Sequence, residues 1–159
     1  MNINFENINY LAVLVASLVS FVIGAVWFGP KTFYPVWMKA LGREVPTERY
    51  KMTGGETLLM FGGTYLAALI QVLTLAFIFG IYKSNGVSLL TGDDSLTALN
   101  GAFLGFIFAV GLGAFASLSH RIFAQPDGKV YRSLKVWLIE VGQDVVCVTI
   151  AGAILGAWA

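Results

Sequence analysis

The sequence predicts an all-α integral membrane protein, a four-helix bundle with a short interfacial helix after the first span. Of its 159 residues, 57% are hydrophobic and only 12% are charged, which leaves too little polar surface for an ordinary soluble domain. Four apolar segments come close to or exceed the roughly 20 residues that cross a bilayer as a helix. We therefore expect one domain over 1–159, with spans at about 10–28, 57–82, 96–119 and 136–158.

The first span, Tyr10 to Phe28, is longer than a signal-peptide core, and no basic segment precedes it, so we expect it to be retained. Gly29-Pro30 ends the helix, because proline disfavours helical geometry in the residue before it. Small residues recur every four positions along this span and would let another backbone approach closely. They are Ala12, Ala16, Ser20 and Gly24.

The connection 31–56 begins with a short amphipathic helix. Tyr34, Trp37, Met38 and Leu41 fall on one helical face, while Pro35 and Gly42 suit a helix start and stop. We expect this helix to lie in the headgroup region and the rest of the connection to be a loop. The residues expected toward water and anionic lipid are Lys31, Lys39 and Arg43.

The second span places Gln71 near mid-membrane, where we expect a hydrogen bond between helices and regard a ligand contact as the alternative. Asp93 and Asp94 are expected to cap the third span, because carboxylates favour the positive end of a helix dipole.

The third span carries the longest small-residue stripe. Its members, at four-residue spacing, are Gly101, Gly105, Ala109, Gly113 and Ser117. In hydrocarbon, close backbone packing has to drive helix association, so we expect the first helix or a second copy of this one to lie on the stripe. Phe103, Phe106 and Phe108 lie on the opposite face, toward lipid or a bulky neighbour.

The fourth span, Val136 to Trp158, is apolar but carries Glu140, Gln143 and Asp144. The sequence ends at Ala159, so we expect that this helix cannot slide outward and that its polar groups are committed to the membrane. They share one face with Cys147, and Asp144 lies about 12 Å inside Val136. We expect this face to point at other helices or at a water-filled cavity.

Two interpretations of this acidic face remain open. Carboxylates one turn apart can share a proton or hold a hard cation with Gln143. Alternatively, Glu140 pairs with Arg121, Lys135 or another basic residue near the membrane boundary as a structural ion pair. The candidate polar or ion site consists of Glu140, Gln143, Asp144, Arg121 and Gln71.

The basic residues predict the orientation in the membrane. Nine of the ten lie in the connections 31–56 and 120–135, so the positive-inside rule places both connections in the cytoplasm and both termini outside it. The expected interfacial anchors are Trp27, Trp37, Trp137 and Trp158.

Signatures of catalysis are missing. The sequence has no H-E-x-x-H, G-x-S-x-G, Walker or Cys-x-x-Cys motif, and it has one histidine and one cysteine. We expect a non-catalytic protein without metal or cofactor. The basic residues lie in loops and form no continuous face for nucleic acid. An enzyme that uses Glu140 or Asp144 as a general base on a lipid-like substrate is a further hypothesis, without a nucleophile to support it.

Two motifs resemble a bacterial family of small membrane proteins, the domain-of-unknown-function family numbered 1761. They are NYLAVLVASLVSFVIGAVWFGP, followed by Trp37-Met38, and GAILGAW near the end. The resemblance covers nearly the whole chain. It implies a four-helix protein of the bacterial inner membrane without an assigned activity, so no functional residue is carried over.

Two functional hypotheses follow. The first is an accessory or self-assembling role, in which the small-residue stripes dock the protein, in contact with membrane lipids, onto itself as a homo-oligomer or onto a larger membrane complex. The alternative is transport or permeation of a small solute, proton or cation through the acidic site on the fourth helix.

Overall fold

The computed structural model describes residues 8–46, 51–84, 97–123 and 129–158, and within these ranges the chain is helical without strands. The all-α prediction is confirmed. Four helices are long and apolar enough to cross a membrane, which indicates a multi-pass membrane protein. In our numbering the helices are α1 (Tyr10–Trp27), α2 (Tyr34–Ala40), α3 (Gly54–Thr57, π-helical Leu58–Gly62, Gly63–Ser84), α4 (Ala98–Phe108, π-helical Ala109–Ala114, Phe115–Phe123) and α5 (Val130–Ala157).

The short helix α2 has the predicted start and stop. Pro35 lies in its first turn, where a missing N–H costs no helical hydrogen bond. Gly42 follows its C-terminus with φ of 75°, a left-handed conformation that glycine adopts without steric cost. Lys31, Lys39 and Arg43 are exposed, as expected.

Helix α3 begins earlier than expected. The predicted span starts at residue 57, but the Thr53 side chain accepts from the Glu56 N–H while the Glu56 side chain accepts from the Thr53 N–H, so the helix begins at Gly54. Asp93 and Asp94, the expected caps of the third span, lie outside the described residues. The described cap of α4 is Thr97, whose side chain accepts from the Asn100 N–H at 3.3 Å.

Helix α5 lies at the centre of the bundle. It packs most extensively against α4, then against α1, and to a lesser extent against α2 and α3, while α3 packs mainly against α1. Accordingly, 39% of the apolar window of α5 is buried, compared with 22–28% in the other three long helices. The helices α3 and α4 therefore flank α5 with a gap between them.

The closest helix contact joins α4 to α5 through glycines. A Cβ at Gly101 would lie 2.1 Å from the Gly152 carbonyl oxygen, and one at Gly105 would lie 2.4 Å from that of Val148. No side chain fits at such distances, so the backbones touch directly. The helix at this contact is neither the first helix nor a second copy of α4, the two partners predicted for the stripe. The first helix packs elsewhere, and α5 presents its own small residues, Gly152 and Gly156.

The bundle divides into an apolar half and a polar half. The buried cluster occupies the start of α1, the end of α3, the start of α4 and the end of α5, with Val13, Phe79, Leu104 and Leu155 as its larger members. The opposite half, toward α2, contains three of the four tryptophans, Trp27, Trp37 and Trp137, and the polar side chains of α5. The functional candidates thus lie in the half that borders the basic connections.

Candidate functional site

The polar face of α5 separates into two environments. Glu140 is half-buried against α2 and the end of α4, whereas Gln143 and Asp144 face the space between α5 and α3, where Asp144 is exposed. One helical turn of about 5.4 Å separates the two environments. On spacing alone, these residues form a single candidate site.

Glu140 makes two contacts. Its Oε2 lies 2.6 Å from Arg121 Nε, and its Oε1 accepts a hydrogen bond from Trp37 Nε1 at 3.0 Å. This is the Arg121 pair that one of the two interpretations names. The Arg121 and Glu140 side chains keep 41% and 20% of their surface exposed, so the pair is only partly buried. Glu140 thereby ties α2, α4 and α5 together.

Two further tryptophans connect helices in the same region. Trp27 Nε1 donates to the Ile139 carbonyl at 3.0 Å, and Trp137 Nε1 donates to the Ala114 carbonyl at 2.9 Å. Indole combines a large apolar surface with one donor, which suits the boundary between hydrocarbon and water. The fourth predicted anchor, Trp158, lies at the other end of α5, where its carbonyl accepts from Asn9 Nδ2 at 3.1 Å.

Gln143 and Cys147 make a short hydrogen-bonded chain between α5 and α1. Gln143 Nε2 donates to Cys147 Sγ at 3.1 Å, and the Cys147 thiol donates to the Ser20 carbonyl at 3.4 Å. A Cβ at Gly24 would lie 3.3 Å from Gln143 Nε2, so this glycine makes room for the amide. The sequence places Cys147 on this face but gives no signal for these two hydrogen bonds.

Asp144 and Gln71 border two cavities at once. The first, which we call the α1 cavity, has about 320 Å³ and lies between α1, α3 and α5. The second, the α4 groove, has about 350 Å³ and lies in the gap between α3 and α4, with α5 as its floor. The α1 cavity is lined by Ser20, Phe21, Gly24, Thr64, Ala67, Ala68, Gln71, Gln143, Asp144 and Cys147. The α4 groove is lined by Gln71, Thr74, Leu75, Ile78, Phe108, Ala109, Leu112, Gly113, Asp144 and Val148.

The two cavities are staggered along the bundle. On α3 the α1 cavity extends from Thr64 to Gln71, and the α4 groove from Gln71 to Ile78. Seven residues correspond to about 10 Å along a helix. The α1 cavity thus lies nearer the basic connections and the α4 groove nearer the other end, with Gln71 and Asp144 where they adjoin.

Asp144 has no compensating partner in the part of the chain that the structure describes. Its side chain is exposed to the cavities, and no described residue forms an ion pair or hydrogen bond with it. Glu140, one turn away, is engaged by Arg121 and Trp37. Among the same residues, no group of three or more His, Cys, Asp and Glu side chains could hold a metal ion.

The small-residue stripe of α4 is covered over only part of its length. Gly101, Gly105 and Ala109 are buried, but a Cβ at Gly113 would meet no atom within 4 Å. Gly113 lies in the π-helical stretch Ala109–Ala114, which widens α4 beside the α4 groove. On α1, Ala12, Ala16 and Ser20 are buried inside the bundle.

Sequence reasoning missed several of these residues. Trp37, the donor to Glu140, precedes it by 103 positions in the sequence. No local pattern links two residues that far apart. Gly152 and Gly156, by contrast, have the same four-residue spacing as the α4 stripe and could have been identified as its counterpart. The π-helical segments have an ordinary apolar sequence and give no such signal.

Comparison with known proteins places the chain by family alone. A family model described as "Protein of unknown function (DUF1761)" matches residues 11–156. No curated protein and no solved structure matches the chain.

Proposed function

Because the chain belongs to the DUF1761 family, to which no activity is assigned, its function has to be argued from its own residues, and we propose that it conducts or carries a proton or a small cation past Asp144. The observation that supports this most is a carboxylate that borders both cavities and has no compensating cation among the described residues. Ionisable groups inside membrane helices commonly mark ion and proton pathways.

The polar lining gives this path a direction. From the basic connections, the α1 cavity offers Thr64 and Gln143 before Gln71 and Asp144 are reached. Beyond them the α4 groove becomes apolar toward Ile78. A cation that enters through the α1 cavity would exchange water for the Asp144 carboxylate and the Gln71 amide oxygen, the hard oxygen ligands that cations prefer. With the basic connections in the cytoplasm, as we propose, this entry is cytoplasmic.

The accessory or self-assembling role is the second proposal. Its main argument was the pair of small-residue stripes, and both stripes are largely buried within one chain. Of the α4 stripe, the part that remains uncovered lies around Gly113, where a Cβ meets nothing within 4 Å. Mass determination in a gentle detergent tests this proposal. A monomer without a bound partner would contradict it.

A flux measurement tests the transport proposal. Purified protein in phosphatidylcholine vesicles that contain a pH-sensitive or sodium-sensitive dye is given an inward ion gradient, with valinomycin and potassium to set the potential. We expect faster uptake of protons or sodium than in protein-free vesicles, and Asp144→Asn should abolish the difference. Glu44→Gln, which removes an exposed carboxylate outside the cavities, is the matched control. Equal fluxes through Asp144→Asn and the parent protein would refute the proposal.

A further inference from the structure

The α4 groove has a polar end and an apolar body. Its polar side chains are Gln71, Thr74 and Asp144, and the Thr74 hydroxyl is used within its own helix, where it donates to the Ile70 carbonyl at 2.8 Å. The polar end therefore consists of the Asp144 carboxylate and the Gln71 amide. The remaining lining is aliphatic, aromatic or glycine, and it extends about 10 Å along α3 from Gln71 to Ile78.

The dimensions of the groove suit an organic molecule. At about 350 Å³ it falls at the lower end of the range for small-molecule sites. A proton or a metal ion held at the polar end would leave the apolar body without a role. Polar groups converging at one end of an apolar pocket are the usual arrangement for holding an amphiphilic ligand in one orientation.

Charge complementarity predicts the sign of the charge on that ligand. Among the residues that the structure describes, Asp144 is the one ionisable side chain in the lining of the groove, and no cation neutralises it. An anionic ligand would add a second negative charge at low dielectric, and a neutral one would leave the carboxylate either uncompensated or obliged to take up a proton. A protonated amine supplies both the charge and N–H donors for Asp144 and Gln71.

Access to the groove is from the side. It lies between two helices that α5 holds apart, and its rim includes Leu112, which is 68% exposed. A ligand with an apolar body can therefore enter from the hydrocarbon, where it concentrates.

We infer that the α4 groove binds a lipophilic organic cation, an apolar body carrying one protonated amine, with the amine at Asp144 and Gln71 and the body along α3 toward Ile78. This inference rests on the proposed function, since it names the class of cation that the same carboxylate receives.

The test uses three probes that share one apolar body. Phenylbutylamine is cationic at neutral pH, phenylbutanol is neutral and phenylbutyrate is anionic. Binding is measured by equilibrium dialysis against full-length protein in phosphatidylcholine nanodiscs, with protein-free nanodiscs subtracted. The amine should bind at least about tenfold more tightly than the alcohol, the carboxylate should not bind, and Asp144→Asn should abolish the preference for the amine.

A matched pair of variants locates the ligand independently of Asp144. A Cβ meets no atom within 4 Å at either Gly113 or Gly111, but only Gly113 lines the groove. Gly113→Phe should fill the groove and abolish amine binding, while Gly111→Phe should bind as the parent does. If Asp144→Asn fails to fold, the comparison of these two glycine variants decides whether the amine binds in the groove. Equal binding of amine and alcohol by the parent, or equal amine binding by the two glycine variants, would overturn the inference.

The inference and the proposed function can fail separately. Flux of protons or sodium that depends on Asp144, without amine binding, overturns the inference and leaves the function standing. Amine binding that depends on Asp144 and Gly113, without flux, supports the inference and rejects the transport proposal.

Discussion

Glu140 and Asp144 show how two acids one turn apart on the same helix come to differ. Glu140 has a cation and an indole donor at the edge of the bundle, at 2.6 Å and 3.0 Å. Asp144 borders two cavities, and no described residue neutralises it. Spacing alone put both on one face. The contacts of Glu140 come from residues distant in the chain, which the spacing could not predict.

The Glu140 pair should contribute little to stability, because both side chains are only partly buried. In a double-mutant cycle with Glu140→Gln and Arg121→Gln, we expect a coupling free energy of at most about 1 kcal/mol. Glutamine can still accept from Trp37, which isolates the charge. Unfolding in detergent measures the cycle, with Glu44→Gln as the control for loss of an exposed carboxylate. A coupling several times larger would mean that the pair is fully buried in the membrane.

Asp144→Asn should leave the protein folded and equally or more stable. The change removes a charge that is costly to keep in a membrane helix, and no described cation is left uncompensated. Thermal unfolding of the two proteins side by side checks this expectation. A destabilisation of about 3–5 kcal/mol, the usual cost of breaking a buried pair, would instead reveal a basic partner for Asp144.

At the scale of the helices, composition and capping patterns predicted most of the architecture. Apolar length identified the four long helices, and the Pro35 and Gly42 signals placed α2 correctly. A small-residue stripe indicates a face that another backbone can approach, but it does not say which one. The helix that packs there, α5, presents Gly152 and Gly156, so the contact depends on two stripes that match in space.

The glycine contact between α4 and α5 predicts that substitution will have different effects at two glycines of the same stripe. At Gly105, alanine would place its Cβ 2.4 Å from a backbone oxygen of α5, so the helices must move apart at a cost of about 1–3 kcal/mol. At Gly113, where nothing lies within 4 Å, alanine should cost nothing. Detergent unfolding of Gly105→Ala and Gly113→Ala compares them. Equal effects would show that the stripe is not packed as described.

At the scale of the whole molecule, the arrangement of the helices creates the site. The contacts of α5 with α4 and α1 leave α3 apart from α4, and the resulting gap is the α4 groove. The sequence does not predict a gap between two helices, because the gap arises from the contacts that each of them makes with other helices. The candidate acid was therefore identifiable from the sequence, while the cavities around it were not.

The orientation of the molecule is a separate prediction. With nine of ten basic residues in two connections, both termini should lie outside the cytoplasm. A reporter that is active only in the cytoplasm, fused after Ala159, should be inactive, while the same reporter placed within 47–50 should be active. The reverse pattern would place the α1 cavity on the external side.

The accessibility of position 144 to water tests the central claim most directly, because an ion site between two cavities requires water to reach it. In a Cys147→Ser background, Asp144→Cys and Ile70→Cys are exposed in vesicles to a charged, water-soluble thiol reagent, which reacts with the thiolate form that water supports. Ile70 is 56% exposed but lines neither cavity, so it reports lipid exposure at a depth adjacent to Gln71. We predict rapid labelling at 144 and none at 70. Labelling at 144 as slow as at 70 would contradict the account.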